Sequence, residues 1–181
     1  MTSAAADSPL LIKGWLIFAH PQFLDSFESL VAHVERLRAK DPKGYTAKNP
    51  TKRLTAIVKL AFEIIPEDPT RPEFRQGAAL GDEYKHWFRA KFFQQDRLFF
   101  RYHRQSRIII YAWINDEDTK RAYESDSDAY RSFRRMLTSG NPPDDWNQLT
   151  SLADYSGRDG EPQTSDHVSN EGRVTLQSFS L

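Results

Sequence analysis

The chain has 181 residues, 39% of them hydrophobic and 13% aromatic, with 25 basic residues balanced by 25 acidic ones. That length suffices for one domain with a real core plus tails. The zero net charge gives no overall pull towards polyanions, and the absence of cysteine excludes a disulfide framework, a thiolate zinc site and a cysteine nucleophile, as fits a reducing cytoplasm.

Residues 1–10 are small and polar and are expected to be disordered. They carry neither the basic start nor the apolar stretch of a signal peptide. Trp15–Ala19 is a short apolar run, read as a buried strand that His20-Pro21 closes. Asp25 and Glu28 have the spacing of a capping box. Phe27, Leu30, Val31, Val34 and Leu37 then follow a helical period, up to the turn chemistry of Asp41-Pro42-Lys43-Gly44. Asn49-Pro50 starts a second helix with Asn as cap. Its stripe is Leu54, Ile57, Val58, Ala61 and Ile65, and Pro66 stops it. The two helices are expected to form a hairpin on one face of a sheet. Residues 67–83 read as a connector punctuated by proline and glycine.

Three strands follow, over Trp87–Phe93, Arg97–Tyr102 and Arg107–Ile114, joined by short polar turns. Side chains alternate across a strand. Phe88, Ala90, Phe92, Leu98, Phe100 and Tyr102 therefore share one face, and the same alternation predicts Arg89, Lys91, Arg97 and Arg101 together on an open opposite face. The third strand is apolar on both sides, as an interior strand tends to be. Within Tyr84–Tyr111 there are seven bases (Lys85, Arg89, Lys91, Arg97, Arg101, Arg104, Arg107) and one acid, Asp96. Such a patch has two readings, a solvated basic face that discourages edge pairing or a polyanion site with aromatics between the charges.

A helical turn is expected over Asp118–Tyr123. A last helix, capped by Asp126 or Ser127, has Tyr130, Phe133 and Leu137 on one face and ends at Gly140. The domain is expected to span residues 11–149, with a polar tail over 150–181. The element order describes an α+β sandwich with helices to one side of the sheet.

Other chemistries lack their residues. There is no phosphate-cradling glycine loop and no HExxH, and the five histidines are scattered. Asp116-Glu117-Asp118 reads as a helix start rather than a metal run. No bilayer span exists, because the longest apolar run, Ile108–Ile114, is far too short. What remains is phosphate chemistry carried by cations. RNA can be cut by its own 2′-hydroxyl if the enzyme accepts that proton, stabilises the extra negative charge and helps the 5′-oxygen leave. Guanidinium groups suit the charge stabilisation, and a lysine among them can move a proton.

Motifs extend this reading. The run Gly14–Trp146 resembles the YhaV-type toxins, a branch of the RelE/ParE superfamily of bacterial toxin–antitoxin systems. The resemblance lies in GWxxxAHPxF at Gly14–Phe23, KDPxxY at Lys40–Tyr45, PEFRQGAALG at Pro72–Gly81 and WFRAKF at Trp87–Phe92. It continues in RLFFRY at Arg97–Tyr102, WINDEDTxRAY at Trp113–Tyr123, and DAYxxFxxML with GNPPxDW at Asp128–Trp146. It implies a RelE-like fold, a small antiparallel sheet against an N-terminal helix pair, with a C-terminal helix. It implies a cytoplasmic endoribonuclease, without cofactor or metal, that cuts mRNA on the ribosome and arrests growth. The implied partner is a PrlF-type antitoxin with an AbrB-like DNA-binding domain, through which the complex would reach operator DNA.

Carried over by position, Arg89 and Arg101 are the central phosphate-binding arginines, Lys91 the proton-transfer or charge-stabilising group and Tyr123 the stacking residue. Arg97, Lys85, Arg104 and Arg121 are further RNA contacts. Two other readings stay open: a non-enzymatic ParE-like inhibitor of a protein target, and a DNA-binding co-repressor in complex with the antitoxin.

Overall fold

The computed structural model describes residues 10–115 and 127–154. Five strands make one sheet: β1 (Leu10–Ile12), β2 (Trp15–Ala19), β3 (Phe88–Phe92), β4 (Asp96–His103) and β5 (Ile108–Ile114), in the spatial order β1-β2-β5-β4-β3. The three later strands pair antiparallel as expected. The sheet is nevertheless mixed, because β2 runs parallel to β5, with Ile17 beside Ile109. β1 is an addition the sequence pattern did not mark, and it begins inside the stretch expected to be disordered. A two-residue turn at Lys13 and Gly14, with φ of 50° and 80°, folds it back on β2. Positive φ at both turn positions is the geometry that keeps two twisted strands together.

Helix α1 (Pro21–Lys40) starts earlier than the capping-box spacing suggests. The cap is His20, whose backbone is extended and whose Nδ1 accepts from the Gln22 amide at 3.2 Å, with proline at the first helical position. Asp25 and Glu28 therefore lie inside the helix. Helix α2 (Asn49–Lys59) has Lys48, not Asn49, at its cap and continues through a π turn at Leu60–Ile64. In that turn the Ile65 amide bonds to the Leu60 carbonyl, one residue further back than in an α-helix. Pro66 has no N–H to offer the Ala61 carbonyl. The buried Tyr111 hydroxyl fills the vacancy, donating to Ala61 O at 2.5 Å from the middle of β5.

Both faces of the sheet are covered. Phe23, Phe27 and Val31 of α1 and Ile57 of α2 bury Ile17, Ile109, Tyr111, Leu98 and Phe100 on one side. On the other side lie α3 (Ser127–Ser139) and α4 (Trp146–Asp154), whose Phe133, Leu137, Leu149 and Ala153 bury Trp87, Phe99, Ile110 and Trp113. The expectation of helices on one side only is thus corrected. A face carrying two tryptophans and a phenylalanine has too much apolar area to leave in water, at about 25 cal/mol per Å². A bulge in β5 enlarges that area. Phe99 pairs with Trp113 and Phe100 with Tyr111, so Ala112 has no counterpart, and Ala112 and Trp113 both join the second core.

Helix α3 ends as its sequence suggests. Gly140, at φ 82°, donates to Leu137 O, and the Asn141 amide reaches back to Met136 O. The domain limit expected at 149 falls inside α4, where Leu149 and Ala153 are both buried. The turn expected over 118–123 and the acidic run at 116–118 lie outside the described residues, as do the tail beyond 154 and the Asp126 cap.

Two outcomes follow from these contacts. Tyr111→Phe leaves the Ala61 carbonyl buried without a donor and should cost about 1–3 kcal/mol in urea denaturation; an unchanged midpoint would show that the π turn is satisfied otherwise. For His20, burial lowers the pKa and Asp25 partly offsets this. A folded pKa below the unfolded one means that its stabilisation is complete above the unfolded value, about 6.5, and is lost as pH falls below it. His20→Asn keeps a cap acceptor that does not titrate. Thermal melts from about pH 7.5 down to 5 should therefore show the wild-type protein losing its advantage over this variant.

Candidate active site

Strand β3 is an edge of the sheet, and its residue order decides where the cations go. Arg89 and Lys91 fall on the face covered by α3. Arg89 is half-buried; its Nε donates to the Tyr130 hydroxyl at 2.6 Å and its NH1 to the Glu73 carbonyl at 2.5 Å. Tyr130 belongs to α3 and Glu73 to the connector, so three segments fix one guanidinium. Lys91, two residues on, is exposed. The result is a clamped arginine beside an exposed ammonium at the rim of the sheet.

Arg101, the second expected central arginine, and Arg97, expected as a further RNA contact, are placed differently, and the expected open face of four cations does not form. Arg97 is 2% exposed. Its NH1 donates to the carbonyls of Gln94 and Asp96, which ties down the β3–β4 turn. Arg101 lies under the segment between α3 and α4. Its guanidinium sits 5.3 Å from the Trp87 ring and 5.1 Å from the Trp146 ring, and NH1 donates to the Asp144 carbonyl at 2.6 Å. Burial draws its pKa down, and Asp144 and Asp145 pull it back up. Guanidinium is the cation best fitted to such a place, being weakly hydrated and able to stack on aromatic faces.

Of the further RNA contacts expected, Lys85 is exposed and paired with Asp82 at 2.9 Å, and Arg104 is exposed in the β4–β5 turn. Arg121 and Tyr123 lie outside the described residues.

Two residues near this site were not singled out by the sequence. Tyr130 was read only as part of an apolar helical stripe, which is true of its ring but hides the hydroxyl. The second is Asp144, in the proline-rich joint. One of its oxygens accepts from Trp87 Nε1 at 2.7 Å and meets His86 Nε2 at 2.6 Å. A carboxylate only accepts, so His86 presents its Nε2 proton to Asp144 and leaves Nδ1 as the other ring position. Nothing local in the sequence links residue 86 to residue 144. Among the described residues, no three His, Cys, Asp or Glu side chains gather as a metal site, and no helix is long and apolar enough to cross a membrane.

Residues 17–154 match the model of a family described as a toxin with endonuclease activity, of a toxin–antitoxin system. The protein named Toxin YhaV in Escherichia coli O6:H1 is 43% identical over 152 residues, covering 83% of this chain and 99% of its own. Ribonuclease toxin YhaV of Escherichia coli strain K12 is 44% identical over 146 residues, covering 80% of this chain and 95% of its own. No solved structure matches the chain. The match runs from within β2 through β5 and both helical layers, and the chain belongs to the YhaV toxin family, the endonuclease toxins of toxin–antitoxin systems.

Proposed function

We propose that the protein is a RelE-like endoribonuclease that cuts mRNA on the translating ribosome without a metal ion, and so stops protein synthesis and growth. The observation that carries this reading is the clamped Arg89. Its bonds to Tyr130 and Glu73 fix the guanidinium before substrate arrives, and preorganised charge of this kind is often the largest catalytic contribution. In the proposed reaction the 2′-hydroxyl gives up its proton to solvent water, the 2′-oxygen bonds to phosphorus and the bond from phosphorus to the 5′-oxygen breaks. The products are a 2′,3′-cyclic phosphate and a 5′-hydroxyl. Arg89 stabilises the charge that builds on the phosphate oxygens. Lys91 delivers a proton to the leaving 5′-oxygen. Tyr130 is a positioning residue, holding Arg89 through its hydroxyl.

Arg101 and Arg97 support the site from within. Arg101 does so by fixing the α3–α4 joint and adding positive potential behind the phosphate. Lys85, Arg104 and Arg121 contact flanking phosphates, and Tyr123 stacks on a base of the message. The ribosome supplies the orientation that a smaller site lacks, since holding reactants in line removes much of the barrier. The proposed partner is a PrlF-type antitoxin with an AbrB-like domain, acting in the cytoplasm and carrying the complex to operator DNA.

Mapping of mRNA 5′ ends in a cell-free translation reaction, beside a tube of naked RNA, tests the reading. The wild-type protein should cut in the translating reaction alone. Arg89→Ala should lower the rate by about 10²–10³-fold with a melting curve close to wild type, because the side chain is half-exposed. Tyr130→Phe should reduce it less. Arg101→Ala should chiefly lower the melting temperature, whereas Arg101→Lys keeps a charge in the clamp. Full cleavage by a folded Arg89→Ala protein would sink the assignment, and cuts in naked RNA would remove the ribosome from it.

A further inference from the structure

A second recognition surface lies behind β3, on the side of the sheet that faces the helix pair. Phe88 precedes Arg89 and points the opposite way. It packs on Tyr102 of β4 with ring centroids 4.7 Å apart. Both rings are only partly buried and line a cavity of about 530 Å³ whose rim carries Arg75 and Lys85. That volume lies within the range of pockets that enclose small organic ligands, about 300–1,000 Å³. Two cations and one carboxylate, Asp82, stand around this aromatic floor, a pairing that suits a nucleotide: π-faces for the base and positive charge for its phosphates.

The walls are built rather than incidental. The Arg75 backbone bridges to Phe88, extending the sheet edge. Gln76, which is buried, donates to the Tyr84 carbonyl and accepts from the Leu80 amide, so the loop from 76 to 84 is held from inside. The exposed Arg75 faces solvent at this rim. Lys85 is engaged by Asp82 at 2.9 Å, with both side chains largely in water. An ion pair so exposed is worth little, and a phosphate can compete for that lysine.

We propose that this cavity is a nucleotide subsite for single-stranded RNA, in which one base stacks on Phe88 and Tyr102 while Arg75 and Lys85 hold its flanking phosphates. The inference rests on the ribonuclease reading and adds to it where the substrate strand goes next. Arg89 is anchored on Glu73, two residues before Arg75, so the clamped guanidinium and the cavity stand on either side of one strand edge. A strand crossing that edge places a phosphate at Arg89 and the neighbouring base in the cavity.

The test uses the full chain and a fluorescent, short, non-cleavable 2′-O-methyl RNA in an anisotropy titration. Arg75→Gln, at an exposed position that leaves the core alone, should weaken binding several-fold and reduce the salt slope by about one. Tyr102→Leu, which retains apolar bulk, should weaken it about tenfold. An oligonucleotide made abasic at one position in turn should lose as much at the position that enters the cavity. That loss should vanish against Tyr102→Leu, a non-additivity that mere damage to the fold would not produce. Unchanged affinity in Arg75→Gln and Tyr102→Leu would overturn the subsite, as would a wild-type protein that does not bind the oligonucleotide. Cleavage in the translating reaction then decides separately whether the ribonuclease reading stands.

Discussion

The second layer of this fold hangs on a partly buried cation. The Arg101 guanidinium lies against Trp87, just before β3, and Trp146, at the start of α4, and donates to the carbonyl of Asp144 between the two C-terminal helices. From Asp144 the carboxylate reaches back to Trp87 and His86. One arginine thus closes a loop of contacts that holds α3 over the sheet, and α3 brings the Tyr130 hydroxyl to Arg89. The geometry of Arg89 is downstream of the packing of Arg101.

A second polar node works at the opposite end of β4. Asn115 accepts from the Arg97 amide at 2.7 Å, donates to the Gln95 carbonyl at 2.7 Å, and receives Arg53 of α2 on its own carbonyl. Arg53 also lies 3.3 Å from the buried carboxylate of Asp96. Buried ion pairs contribute little net stability when judged against an apolar replacement, yet removing one partner is costly. Their consequence here is register. The β3–β4 turn, the end of β5 and helix α2 are fixed to one another at the point where the chain leaves the sheet towards residues 116–126.

These nodes explain what the sequence could and could not disclose. Alternation predicted the first core residue by residue, because Phe88, Ala90, Phe92, Leu98 and Phe100 all pack against the helix pair. The apolar run Ile108–Ile114 is the central strand its composition suggested. The opposite face was misread because period-two patterning counts cations without measuring their reach. Trp87 and Phe99 needed cover, and an arginine can lie beneath that cover on an aromatic face. Tyr111 looked like one more core aromatic, and its bond to the Ala61 carbonyl, 50 residues earlier, fills a vacancy that the π turn and the missing N–H of Pro66 leave. The link between His86 and Asp144 spans 58 positions and leaves no local trace.

The sheet edge therefore sorts a uniform basic segment into two kinds of charge. Arg97 and Arg101 are on β4, which is flanked on both sides by other strands, and their guanidinium groups turn to carbonyls and indoles. Arg89 and Lys91 are on β3, where one side has no neighbouring strand along most of its length. There a lysine first serves to keep foreign strands from pairing. An edge kept open by charge is also a place where an extended polyanion can lie without displacing any protein contact. Protection of the edge and capture of a phosphate chain ask for the same residues, so neither reading of the basic patch excludes the other. On this edge the fold fixes Arg89, bonded to both Tyr130 and Glu73, while Lys91 stays exposed, and the proposed function rests on that difference.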